Sequence, residues 1–113
     1  MSCIFCKIVN DEIPSKKIFE NDKVLIIEDI NPVAKVHLLI ISKVHIESAN
    51  QLDEDNIDII KDMFLAAKQV AIELNIDKAG YRLINNCGIN GGQAVKHLHI
   101  HLLGGENLGE KLI

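Results

Sequence analysis

No basic run occurs anywhere in the chain, whose 12 Lys and Arg are outnumbered by 16 Asp and Glu for a net charge of −4. Proteins that hold nucleic acid at large do so with cations gathered along phosphates, so general nucleic-acid binding is excluded. A small phosphorylated ligand is not, because it needs only a local positive site. No apolar stretch approaches the roughly 18 residues of a membrane span. The opening Met1-Ser2-Cys3-Ile4-Phe5-Cys6 lacks the basic and apolar segments of a secretory signal. The expectation is a cytoplasmic protein with no membrane partner. Cysteines number three, an odd count that argues against a disulfide framework. Internal repeats and low-complexity linkers are absent. What is left is 113 residues, 48% of them hydrophobic, enough for one domain (1–113) with a real core.

The stretch that organises the chain is Gly91-Gly92-Gln93-Ala94-Val95-Lys96-His97-Leu98-His99-Ile100-His101-Leu102-Leu103. Histidine stands at every second position, with an apolar residue between. In a strand, successive side chains point to opposite faces. His97, His99 and His101 then share one face, and Leu98, Ile100 and Leu102 the other. The apolar face suits a core. Aligned imidazoles need partners for their ring nitrogens, and offer metal ligation, nucleophilic attack and proton transfer near neutral pH.

Taken in order, Cys3-Ile4-Phe5-Cys6 reads as half a zinc site, a redox pair or two small buried thiols. No thioredoxin-like βαβ pattern follows, and His45 and His97 are the available further ligands. Phe5 to Asn10 suggests a short helix, Lys16 to Glu20 a short strand, and Val24 to Asp29 a strand buried on both faces. Asp29, at the strand end, is either solvated or an acceptor for ribose hydroxyls. His37 to Ser42 forms the next strand, with His37 a structural hydrogen bonder. Ser48 to Asn56 is a loop or short helical turn. Asp53-Glu54-Asp55 would then cap a helix in which Ile57, Ile60, Met63, Phe64, Ala67, Val70, Ala71 and Leu74 recur at spacings of three and four, giving roughly six turns. Met63 and Phe64 belong to core or to a dimer face. Tyr81 to Asn85 is a strand, and the Gly/Asn loop from Asn86 to Gly92 returns the chain antiparallel. Asn85 can simply close that turn. The order of elements is α+β with an antiparallel sheet.

The His-φ-His-φ-His-φ-φ pattern, with Gly91-Gly92-Gln93 before it and Gly104-Gly105 after it, resembles the histidine triad (HIT) superfamily, and within it the Hint branch of nucleotide-binding proteins. The resemblance runs from Ile4-Phe5 through Gly104-Gly105. It implies a HIT-like fold with an antiparallel sheet of about five strands, a short N-terminal helix and one long helix, the sheet extended across a homodimer. It implies a purine nucleotide, AMP-like, as substrate, with no organic cofactor. His99 would be the nucleophile, forming a nucleotidyl-histidine intermediate, with His101 donating to phosphate and His37 in support. Asp29 would take the ribose, with Ile30 beside the base, and Ile4, Phe5, Ile8 and Ile27 would wall the purine pocket. Asn85 would contact ribose or phosphate. The backbone from Gly92 to Ala94 and the Gln93 side chain would cradle phosphate oxygens. Zinc-bearing relatives imply Zn2+ on Cys3, Cys6, His45 and His97. In that case His97 could not easily orient its neighbours as well.

Three positions depart from the pattern. Ser42 replaces a proline and should loosen its turn. Ala94 stands where the Hint branch usually has a hydroxyl on the phosphate or leaving group. The tail after Gly105 lacks the Trp-Pro-Pro-Gly ending of many relatives, a segment that shapes leaving-group choice. The expected activity is hydrolysis of nucleoside 5′-phosphoramidates or related AMP conjugates. The alternatives are a dinucleoside polyphosphate hydrolase, as in the Fhit branch, and a nucleotide-binding regulatory module with incidental activity. A purely structural zinc protein, the triad acting only as ligands, is a further reading.

Overall fold

The computed structural model describes residues 3–111. Met1 and Ser2 of the opening segment, and Leu112 and Ile113 of the tail, lie outside them. The elements are α1 (Ile4–Val9), β1 (Lys17–Glu20), β2 (Val24–Glu28), β3 (Val36–Ser42), a 3-10 turn (Ala49–Gln51), α2 (Asp58–Glu73), β4 (Arg82–Ile84) and β5 (His99–Gly104). The strands form one antiparallel sheet in the order β1-β2-β3-β5-β4. The α+β fold therefore stands as expected.

Strand alternation decides what lies on each face. Val24 and Ile26 of β2, Leu38 and Ile40 of β3, and Ile100 and Leu102 of β5 share a face with Leu98. There they meet Ile59, Met63, Ala66, Ala67, Val70 and Ala71 of α2 in the main core. The intervening residues Leu25, Ile27, Leu39 and Ile41 turn to the other face, where Phe5 and Ile8 of α1 cover them. Val24 to Ile27 of β2 and Leu38 to Ile41 of β3 are thus apolar at every position because both faces are covered there. The β3–β5 register pairs Leu39 with His101 and Ile41 with His99. Directly opposed residues share a face, so His99 and His101 stand on the α1 side. His37, two residues before Leu39, joins them.

Two elements differ from the sequence expectation. Helix α2 has 16 residues, about four and a half turns rather than six. The acids before it do not cap it: Asp53 Oδ1 accepts from the N–H groups of Asp55 (2.8 Å) and Asn56 (3.1 Å), closing a separate turn. Ile57 then enters the helix with no side-chain cap, and Asp58 is the acid of the first turn. The triad also straddles a boundary. His97 and Leu98 precede β5, yet the Leu98 N–H donates to the Ile46 carbonyl (2.7 Å), which keeps Leu98 under the sheet.

Candidate active site

Each histidine of the cluster has one nitrogen committed by a main-chain group or a neighbour, and that commitment fixes the state of the other nitrogen. His99 is buried, and its Nδ1 lies 2.6 Å from the His97 carbonyl. A carbonyl only accepts, so Nδ1 carries the proton and Nε2 keeps its lone pair. The Phe5 ring stands edge-on to His99, with centroids 5.0 Å apart and planes at 86°. Phe5 also meets His97 at 5.8 Å. The His99 ring is thus held by a hydrogen bond and by the edges of Phe5 and His101.

The other arm begins at Val33, whose N–H donates to His37 Nδ1 at 3.1 Å. His37 must then be neutral, with its proton on Nε2. That Nε2 lies 2.9 Å from His101 Nδ1 and 3.3 Å from Asp29 Oδ2. Because His101 accepts at Nδ1, its own proton sits on Nε2, ready to donate outward. Burial, then the repulsion that protonated His99 and His37 would exert on a further charge, hold the His101 pKa below the ordinary histidine value, against the opposing pull of Asp29. His101 is neutral at pH 7 and serves as a donor, not a cation. Asp29 Oδ1 accepts from the Asn31 N–H (2.7 Å), which fixes the carboxylate at the mouth of the site.

The Cys pair joins a second cluster on the same side of the sheet. Donor atoms of Cys3, Cys6, His45 and His97 lie within 4.8 Å of one another. His45 Nδ1 and His97 Nδ1 are 3.1 Å apart, Cys6 Sγ is 3.2 Å from His45 Nδ1, and Cys3 Sγ is 3.3 Å from His97 Nδ1. Tetrahedral zinc with sulfur at about 2.3 Å and nitrogen at about 2.0–2.1 Å sets ligand–ligand edges of about 3.3–3.8 Å, so the four donors fit such an ion. His97 Nε2–H donates to the Ser42 carbonyl (2.7 Å), which leaves Nδ1 as the lone-pair nitrogen facing the cluster. His97 therefore both faces the cluster and orients its neighbour: the ring serves the first and the carbonyl the second. A set formed by Asp29, His37 and His101 also brings three donor atoms together. It does not suit a metal, since Val33 keeps the proton on His37 Nε2.

Other residues singled out in the sequence take different places. Gln93 is spent inside its loop. Its Oε1 accepts from the Gly88 N–H (2.9 Å), and its Nε2 donates to the carbonyls of Glu47 (2.8 Å) and Val95 (3.0 Å). The N–H groups of Gly92 and Gln93 likewise donate to Ile89 and Gly88 carbonyls (both 3.0 Å). The Gln93 side chain thus braces its loop. Gly91 lies so close to the Cys87 carbonyl that a Cβ would collide with it, and Gly92 adopts φ +81°, which favours glycine. Asn85 Nδ2 donates to the His99 carbonyl (2.9 Å), which ties it to β5. Ile30 is 92% exposed beside Asp29, whereas Phe5, Ile8 and Ile27 are buried against the sheet. Ile4 is exposed, and lines a cleft of about 510 Å³ with Cys3, His45, Glu47, Ala94, Val95 and Lys96.

Ser42 does the opposite of loosening its turn. It is fully buried, and its Oγ donates to the Val44 carbonyl (2.9 Å). Sequence reasoning missed the Ser42 carbonyl and the Val33 N–H. Both are main-chain groups, and only the strand register could have pointed to them.

The fold and this cluster define a class. A family model described as "Scavenger mRNA decapping enzyme C-term binding" matches residues 2–111. A HIT family hydrolase from Clostridium thermocellum superposes with TM-score 0.96 at 49% identity, covering 99% of this chain and 97% of that one. The chain belongs to the histidine triad family. A histidine triad protein from Clostridium difficile is similar at 46% identity and TM-score 0.95, over 97% of this chain and 96% of its own. Among characterised relatives, the purine nucleoside phosphoramidase of Escherichia coli is 40% identical over 109 residues, 96% of this chain and 92% of that protein.

Proposed function

We propose that the chain, as a single domain over 1–113, hydrolyses nucleoside 5′-phosphoramidates or related AMP conjugates through a nucleotidyl-histidine intermediate on His99. The observation that carries this is the 2.6 Å contact from His99 Nδ1 to the His97 carbonyl, which leaves Nε2 as a free lone pair. An imidazole so held attacks at neutral pH without a separate base. Nε2 forms a bond to the α-phosphorus as the P–N bond to the leaving amine breaks. Water then cleaves the phosphorus–histidine bond. Across the two steps the nucleotide gains a hydroxyl and the amine a proton. His101 Nε2–H stabilises phosphate charge, and His37 fixes His101. Asp29 takes the ribose, with Ile30, Phe5, Ile8 and Ile27 near the purine. The name of the E. coli relative supports this substrate class. Ala94 supplies no hydroxyl, so its exposed position leaves room for a leaving group that brings its own polar contacts.

Zn2+ is the proposed occupant of Cys3, Cys6, His45 and His97, where it would tie α1 to the sheet. About one zinc per chain is expected in native protein; elemental analysis finding none after metal-free purification retires the site. Exposed Ile57, Phe64, Leu65 and Ile72 on α2 support a homodimer. No helix among the described residues is long and apolar enough to cross a membrane, which is consistent with the proposed cytoplasmic location.

The test is mass spectrometry of protein mixed briefly with adenosine 5′-phosphoramidate and quenched in acid, beside His99→Ala. An adenylate adduct confined to the unsubstituted chain is expected. AMP affinity should stay within about tenfold in His99→Ala, equivalent to about 1.4 kcal/mol. Binding with no turnover by either protein would leave a nucleotide-binding module instead.

A further inference from the structure

One proton in the site has two acceptors. His37 Nε2–H lies 2.9 Å from His101 Nδ1 and 3.3 Å from Asp29 Oδ2, and the Val33 N–H at Nδ1 prevents His37 from supplying a second proton. His37 is buried, so water does not compete for its N–H. Asp29 and His101 therefore share a single hydrogen bond from it. Like His101, Asp29 is partly exposed. Its carboxylate is held by the Asn31 N–H on the neighbouring oxygen.

Resting on the proposed ribose contact, we infer that Asp29 is a positioning residue through which ribose binding prepares the phosphate donor. A ribose diol donates hydrogen bonds to the Asp29 carboxylate and occupies the lone pairs that His37 otherwise shares. The His37 N–H then belongs to His101 Nδ1 alone. His101 is fixed with its proton on Nε2, aimed at the phosphate. A ligand lacking the diol leaves His37 divided, and His101 loses part of what orients it. Binding energy at the sugar is thereby expressed at the phosphorus, which is how remote contacts raise kcat rather than only lower KM. An Asp29 that merely anchors ribose would act on KM alone.

The experiment pairs two readouts. The first is the imidazole nitrogen resonances of His37 and His101, followed by NMR as adenosine, which has no phosphate, is added to the full chain. Adenosine should shift both residues, and 2′,3′-dideoxyadenosine at equal occupancy should shift neither. The second is kcat and KM for adenosine and 2′,3′-dideoxyadenosine 5′-phosphoramidates. Loss of the diol should lower kcat about tenfold as well as raise KM, the scale of one good hydrogen bond. In Asp29→Asn the kcat difference between the two substrates should vanish, and in Asp29→Glu part of it should return. Adenosine that binds while His101 stays unmoved, or a diol effect confined to KM, overturns the inference while sparing the proposed function. Failure of adenosine to bind at all overturns both.

Discussion

The His97 ring turns Nδ1 to the cysteine cluster and Nε2–H to Ser42, while its carbonyl holds His99. Much of the site is built in this way, from main-chain groups that fix rings. The alternation of the histidines, and the pairing of Cys3 and Cys6 with His45 and His97, were legible because they depend on residue type. The Val33 N–H and the Ser42 carbonyl were not, because every residue carries such groups and only register selects them. Gln93 and Asn85 were legible as polar residues near the triad, but not as clips within it. Gln93→Ala leaves three main-chain groups without their partner, two of them open to water, and should cost about 0.5–1.5 kcal/mol. Thermal unfolding measures that loss, and a raised KM should accompany it as the loop loosens. For His101 the sign of the pH effect follows from a folded pKa below the unfolded value of about 6.5. The unfolded chain takes up the proton first, so the stability tied to neutral His101 is complete above that value and is lost as pH falls toward the folded one. An NMR titration should place the His101 midpoint below that of an unfolded histidine. Burial presses it down first, then repulsion from His99 and His37, and Asp29 opposes them.

Helix α2 shows what periodicity reveals and what it blurs. Spacings of three and four located the helix, but they merged two faces. Met63 is fully buried in the main core, whereas Phe64 is 48% exposed. Neighbours on a helix are about 100° apart, so these two cannot share an environment. Met63→Ala should cost about 2–5 kcal/mol in chemical denaturation. Phe64→Ser should change the stability of the isolated chain by no more than about 0.5 kcal/mol. Its effect should appear in sedimentation, as weakened self-association. The helix start was misjudged because Asp53 has the chemistry of a cap but is used by a turn of its own, closed by Asn56. The strands were easier. Val24 to Ile27 and Leu38 to Ile41 are apolar throughout, and only a sheet covered on both sides calls for that.

At the scale of the molecule, α1 covers the histidine face and α2 the opposite one, and the cysteine–histidine cluster is the tie between α1 and the sheet. At the proposed zinc site, a chelator should lower the melting temperature, and Cys3→Ser combined with Cys6→Ser should match that loss with no further effect of chelator. Phe5 lies between the two cysteines in sequence and against His97 and His99 in space. Its contact with His99 should therefore weaken when the tie is cut, read as a shift of the His99 ring resonances. The same tie has a consequence in time. Cys3 is made 94 residues before His97. At about 5–20 residues per second, the ribosome takes roughly 5–20 s to cover that interval. Until it ends the two thiols lack His97, although His45 is made less than halfway through. The nascent chain must carry them reduced until His97 is made, just before its last strand, so the cluster and the sheet it secures are completed together.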